Sequence, residues 1–397
     1  MAEAYFAKQP SPAEIEKRVE GFQSWLEIDL DAITHNLEEV RRKVGVEVIP
    51  CVKTNAYGHG LVPVVAHMMT LGVDRFLVAK LWEARQIREA RLDCAVINMD
   101  PLFTDEQYSE VVHLDVTQTV YQTESASSLS KAALEQGKTA SLWVKIDTGL
   151  GRVGVRWGEA VALIEQIAKI PCLRIDGLFS TMSEDAQLDH IQVDRMKQIS
   201  AKLDSMDISY GIRSMASSNA VLHAPYTYLD AVRPGLILLG LYPERMDMGQ
   251  GVDLRQAFTL KARLEQVKTV EVGESLTYSR RFVAPKKMQV GTLHIGYSDG
   301  YPRGLTQKGL VRIKGMIKPN LGTVSVNHIL VDLDGTGAQV GDVVEAISRR
   351  GENDAFTLSE RAEIMTYTLM VGMNILMPRV YIRNGEPVAL SEPRLVN

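Results

Sequence analysis

The residues best suited to chemistry gather in one stretch, Pro50 to Gly60, reading PCVKTNAYGHG. An apolar, strand-like run (Val46, Val48, Ile49, Cys51, Val52) ends at Lys53 and breaks into a turn rich in Asn55, Gly58 and Gly60. An amine partly removed from water at a strand end has a lowered pKa and can attack carbonyls. If the strand belongs to a parallel barrel, its end lies on the face where such barrels build their active sites. A lysine taken alone reads more readily as a solvated strand end, so the elements around it have to decide.

Those elements alternate. Leu26 to Leu30 (LEIDL) reads as a short strand, with Asp31 capping a helix through Ile33, Leu37 and Val40. Strand-like pieces recur at Arg75 to Ala79, Ala95 to Met99, Val116 to Tyr121, Leu142 to Ile146, Leu173 to Phe179, Ile208 to Met215 and Leu236 to Leu239. Helix-like segments lie between several of them, at Leu81 to Ala90, Glu124 to Glu135, Glu159 to Ile167 and Asp185 to Leu203. Strand–helix units in series predict an α/β fold with a parallel sheet, and this number of them suits a TIM-type (β/α)8 barrel. After Tyr242 the pattern changes: Pro243 to Leu254 reads as a linker. Short β-patterned pieces follow at Thr259 to Val270, Met288 to Ile295, Leu310 to Ile317, His328 to Leu333 and Asp342 to Ile347. The expected organisation is a barrel domain over 22–245 and a mostly β C-terminal domain over 255–385, with a loosely held tail after Tyr381.

Composition narrows the function. The 397 residues are 45% hydrophobic and 23% charged, as in an ordinary globular chain with a sizeable core. A formal net charge of -5 without a long basic run argues against a nucleic-acid or anionic-membrane partner and favours small molecules. The three cysteines, Cys51, Cys94 and Cys172, are odd in number and lack metal-ligand spacing, which suits a reducing compartment. No signal-type or membrane-length segment opens the chain, so a cytoplasmic location is expected, and no metal site is expected.

Six motifs follow in order: VKTNAYGHG (52–60), KIDTGLGRVG (145–154), VRPG (232–235), GESLTY (273–278), GYSDGYPR (296–303) and MPRVY (377–381). With them the chain resembles the alanine racemase family from about Trp25 to Tyr381. The resemblance implies an amino-acid racemase, an isomerase that makes D-amino acids with pyridoxal 5'-phosphate. Lys53 matches the lysine that holds the cofactor as a Schiff base and acts as one of two bases. Tyr278 matches the second base, supplied by the partner subunit, which implies a homodimer with shared sites. Racemisation removes a proton from one face of the α-carbon and returns it to the other, so two opposed bases are required. A phenol with an ordinary pKa near ~10 needs assistance to serve as one.

Tyr57, Ser218, Asn219, Gly235 and Leu236 match positions around the cofactor phosphate, where hydroxyls and free amides are the donors a phosphate needs. The family's usual Asn-Ser pair stands here in reversed order, as Ser218 then Asn219. Arg233 matches the arginine facing the pyridine nitrogen; because it keeps its proton, it leaves that nitrogen unprotonated. Arg152 matches an arginine reaching the cofactor oxygen and the substrate carboxylate. Lys145 matches a lysine carbamylated in many members. Tyr297 matches a tyrosine near the substrate carboxylate and Tyr367 one that touches the cofactor; each could also be a packed core tyrosine. His59 reads as a structural turn residue.

Three positions depart from the family pattern. Thr181 stands where a histidine is usual, and Val326 and Asn327 replace a Met-Asp pair at the substrate end. The shorter, uncharged pair predicts a pocket that takes amino acids larger than or different from alanine. Lys80, at the end of the second strand, is a rival amine to Lys53. The alternatives are another reaction on the same scaffold, such as decarboxylation, or a non-catalytic pyridoxal-phosphate-binding protein.

Overall fold

The computed structural model describes residues 2–392. Its first sheet has eight parallel strands in the order Glu47–Val48, Ala231–Val232, Ile212–Ser214, Leu173–Phe179, Ala140–Asp147, Thr117–Val120, Ala95–Asn98 and Arg75–Val78. The two edges meet. Residues 49–52 bond on one side to the last strand, through Ile49 N–H to the Val232 carbonyl (2.9 Å) and Cys51 N–H to that of Pro234 (2.8 Å). On the other side, Leu77 N–H donates to the Pro50 carbonyl (2.9 Å) and Val52 N–H to the Leu77 carbonyl (2.8 Å). The expected barrel is therefore present, and the segment that runs into Lys53 is its seam.

The barrel interior is filled by Ile49, Leu77, Ile97, Trp143, Phe179 and Ala231, with the Trp143 and Phe179 rings 5.8 Å apart. A larger apolar layer lies between strands and helices. Because both faces of a barrel strand are covered, Ala140–Asp147 is buried almost throughout.

In the second sheet, six strands close on themselves: Met288–Leu293, Ile329–Asp332, Met316–Leu321, Leu310–Ile313, Val343–Ile347 and the 13-residue strand Phe258–Val270. The piece expected at Leu310 to Ile317 is a hairpin that turns at Lys314 and Gly315, both at positive φ.

Four local expectations change. The strand Ser24–Asp29, expected to open the barrel domain, lies in the second sheet, antiparallel to Phe258–Val270 and parallel to Arg379–Arg383. Asp29, not Asp31, caps the helix Leu30–Val44, accepting from Ala32 N–H at 2.9 Å, while Asp31 accepts from Asn384 N–H at 2.7 Å. Leu236–Leu239 is a 3-10 turn rather than a strand; four buried leucine and isoleucine residues carry no period that separates the two. The tail is held through Ser391, because Glu386–Ser391 pairs with Arg379–Arg383 and turns Pro387 and Ala389 inward.

Candidate active site

Lys53 stands where the seam strand leaves the barrel. The four residues after it, Thr54, Asn55, Ala56 and Tyr57, all have φ between 49° and 56°. A left-handed run costs L-residues about 1–2 kcal/mol each, so surrounding bonds must hold it. The fully buried Glu83 carboxylate accepts from Asn55 N–H (3.1 Å) and from Ala79 and Lys80 N–H (3.0 Å each). Asn55 accepts at its side-chain oxygen from Leu61 N–H (2.8 Å), and Arg379 Nε donates to the Gly58 carbonyl (2.7 Å). The second domain thus clamps the turn that presents Lys53.

The turn carries Tyr57 to Gly235. A Cβ at Gly235 would stand 2.5 Å from the Tyr57 hydroxyl, so only glycine admits the ring. Gly235 N–H donates to Ser218 Oγ (3.0 Å), and the Tyr367 phenol lies near enough to feel the Ser218 hydroxyl. The Tyr57 and Tyr367 rings are 6.1 Å apart. Burial pushes the Tyr57 phenol well above its ordinary value and that of Tyr367 to about 12, so both keep their protons and can donate. Tyr57, Ser218, Gly235 and Tyr367 form one cradle, with Leu236 opening the 3-10 turn at its edge and Asn219 half-buried beside Ser218.

Arg233 is buried beside the cradle, its guanidinium carbon 4.8 Å from the Phe179 ring centroid. Its Nε donates to Ser214 Oγ (2.9 Å) and Nη2 to the Ser180 carbonyl (2.5 Å). Burial lowers its pKa to about 10, which still leaves it charged at neutral pH. The bonds continue inward, with Ser180 Oγ 2.7 Å from Thr148 Oγ1 and Gln192 Nε2 donating to Thr148 Oγ1 (3.0 Å) and to the Thr181 carbonyl (2.9 Å). Sequence reading missed Ser180, Ser214, Thr148 and Gln192; serine, threonine and glutamine are too common in helices and turns for type alone to mark them.

Lys145 closes the arrangement from the strand Ala140–Asp147. Its Nζ lies 5.0 Å from the Phe179 ring centroid, and its pKa falls to about 8, first through burial and then through Arg233, Arg152 and Lys53. Four cationic side chains therefore act on one region of the barrel mouth. Such a concentration fits a bound anion, and the adjoining hydroxyls fit a phosphate. Pyridoxal phosphate, with its phosphate and phenolic oxygen, and an amino-acid carboxylate meet that requirement. Lys80 does not compete: it pairs with Asp100 at 2.6 Å on the surface, which raises its pKa and keeps it protonated. His59 is buried edge-on against Phe258, and burial lowers its pKa to about 4, in keeping with a structural role.

The remaining candidates stand apart. Tyr278 is 72% exposed, Val326 46% and Tyr297 43%, all in the second domain. Thr277, Ser279 and Arg280 around Tyr278 all have positive φ, and Thr277 Oγ1 accepts from Thr323 N–H (3.0 Å), which pins the loop. Tyr297 N–H donates to the Ser325 carbonyl (3.1 Å) and Ser298 N–H to that of Val326 (3.1 Å), so those two loops are one surface. Within the chain, no hydrogen bond or ring contact among the described residues joins Tyr278, Tyr297 or Val326 to the cradle.

Comparison with known proteins agrees with this fold. Residues 28–243 match the profile of the alanine racemase N-terminal domain and residues 257–381 that of the C-terminal domain. The chain is 35% identical over 367 residues to alanine racemase of Desulforamulus reducens, covering 90% of this chain and 98% of that protein. It is 32% identical to that of Halothermothrix orenii, covering 90% and 96%. Alanine racemase of Clostridium difficile 630 superposes with a TM-score of 0.89 at 28% identity, over 94% of this chain and 99% of that one. The Bacillus anthracis enzyme, solved with bound L-Ala-P, superposes at 0.84 and 25% identity, over 93% and 97%.

The class so defined is a pyridoxal 5'-phosphate-dependent amino-acid racemase. The chain belongs to the alanine racemase family.

Proposed function

We propose that this chain interconverts the enantiomers of alanine or a related amino acid, with Lys53 and Tyr278 as opposed bases in a cytoplasmic homodimer. The observation that carries the reading is the convergence of Lys53, Lys145, Arg152 and Arg233 beside the hydroxyl cradle of Tyr57, Ser218 and Tyr367. Pyridoxal phosphate, when bound, supplies an electron sink for the bond to the α-hydrogen. Tyr57, Ser218, Asn219, Tyr367 and the Leu236 amide would hold its phosphate, while Gly235 gives clearance and orients Ser218. Arg233, fixed by Ser214 and Ser180, would serve as the donor to the ring nitrogen. Arg152 and Tyr297 hold the substrate carboxylate, and Val326 borders its side chain. Lys53 Nζ would hold the cofactor and, once released, move a proton on one face of the α-carbon, and Tyr278 Oη would move it on the other.

The exposure of Tyr278, Tyr297 and Val326, with Met365 (69%) and Leu376 (62%), supports a second subunit that brings its own copy of this surface to the barrel mouth. No helix among the described residues is long and apolar enough to cross a membrane. The test is a D/L interconversion screen by chiral chromatography over alanine, serine, lysine and arginine, with carbon dioxide release followed in parallel. Interconversion without decarboxylation is expected. Failure on all four, or decarboxylation in its place, overturns the reading, and a strong preference for alanine removes the wider pocket ascribed to Val326 and Asn327.

A further inference from the structure

We infer that Glu265, His294 and His328 form a divalent transition-metal site on the outer surface of the second domain. Glu265 lies on Phe258–Val270, His294 directly follows Met288–Leu293 and His328 directly precedes Ile329–Asp332, three strands that neighbour one another. Leu264 of Phe258–Val270 pairs with Leu293, and Leu293 pairs with Ile329, so the residues next to those partners meet at one level of the sheet. The register of Phe258–Val270 shifts between Leu264 and Gln266, which makes Glu265 the extra residue of a bulge and leaves 265 and 266 both exposed. Bulges re-aim side chains in this way.

The geometry suits one ion. Glu265 Oε2 lies 3.1 Å from His294 Nδ1 and Oε1 lies 2.9 Å from His328 Nε2, so one carboxylate addresses both rings through separate oxygens. The rings stand nearly perpendicular, 77° apart with centroids at 4.9 Å, and one ligand atom from each residue falls within 4.8 Å of the others. Three donors about 2.0–2.2 Å from a tetrahedral zinc lie roughly 3.4 Å from one another, so a small inward adjustment completes the set. Two neutral imidazole nitrogens and a carboxylate are a donor set for zinc, cobalt, nickel or copper, whereas magnesium and calcium take oxygen ligands. The side chains are 34–46% exposed, which lets the ion enter and leaves a coordination position for water.

The sequence between these ligands gives the site a consequence. His294 comes three residues before Tyr297, and the His328 carbonyl accepts from Ser325 N–H (3.1 Å) and Oγ (2.7 Å), closing the turn that carries Val326. A bound ion staples the bases of both loops to the strand Phe258–Val270. The binding itself does not rest on the roles proposed for Tyr297 and Val326.

The test is a Co2+ titration of chelator-treated holoprotein, followed by visible absorption, with Zn2+ as competitor and Mg2+ as control. One Co2+ per chain is expected, displaced by Zn2+ and indifferent to Mg2+. Each ligand contributes at least as much as the outer-sphere groups that tune such sites, so Glu265→Gln weakens binding by about tenfold or more and the pair His294→Gln and His328→Gln by about a hundredfold or more. No saturable binding, or binding unchanged in the double variant, overturns the inference. Should that variant fail to fold, X-ray absorption at the zinc edge of the unaltered protein decides: two imidazole nitrogens support the site and sulfur ligands overturn it.

Discussion

The barrel mouth and the Tyr278 surface are opposite ways of preparing a reactive group. At the mouth, Lys145, Arg233, Ser218 and Tyr57 are buried, with Arg233 bonded to Ser214 and Ser180 and Ser218 accepting from the Gly235 amide. On the second domain, Tyr278 is held by a strained, pinned loop yet faces solvent. The first region gathers hydroxyls and cations within one chain, where the cofactor is proposed to bind. The second holds the proposed base, Tyr278, on an open surface. A proton donor must be screened from water to act on one face only, so the role proposed for Tyr278 requires a second subunit to cover it.

Subunit complementation carries the largest expected effect. Lys53→Ala and Tyr278→Phe should each lower racemisation by roughly 10²–10⁴-fold. If the site is shared across a two-fold interface, mixing the two inactive variants after dissociation restores activity at about a quarter of the sites. Recovery of none would place both bases in one chain.

A smaller effect sharpens the account of the mouth. Lys145 has its pKa lowered from 10.5 to about 8, so the folded chain resists its charge. Below pH 8 both folded and unfolded states hold the proton and the full penalty applies. Between about 8 and 10.5 the unfolded state holds more protons, and stability rises with pH. The gap corresponds to about 3 kcal/mol at most. Lys145→Met should therefore stabilise the cofactor-free protein at pH 7 in carbon-dioxide-free buffer, with the gain shrinking toward pH 10. Urea melts across that range measure it, and a gain independent of pH would show that packing, not charge, is relieved.

Gly235→Ala tests the cradle. Its new methyl meets the Tyr57 hydroxyl, and overpacking of this kind costs about 1–3 kcal/mol. Cofactor affinity, followed by visible absorption, should fall by roughly ten- to a hundredfold while the barrel stays folded. The least effect belongs to the other region: Val326→Met should shift the alanine-to-serine rate ratio by about tenfold, the value of one or two methylenes in a pocket. An unchanged ratio would remove Val326 from the substrate's surroundings.

Much of this could be read from residue order. The alternation of strand and helix signals marks the barrel because each unit is local, and the six motifs mark the family because their residue types must recur at set spacing. The run ending at Lys53 was visible as a strand end, but its place as the barrel's seam was not, since its partners are Pro234 and Leu77. The same holds for Ser24–Asp29, whose alternation says strand while its partners, Phe258–Val270 and Arg379–Arg383, lie more than two hundred residues away.

By itself, then, the sequence determined which residue types were available and which short segments became strand or helix, because propensity, period and capping act over a few residues. The tertiary structure alone decided that Lys145 is a suppressed cation, that Ser180 and Ser214 hold Arg233, and that Tyr278 looks outward. Burial and charge are sums over neighbours far apart in the chain, and those neighbours are chosen only when the barrel closes.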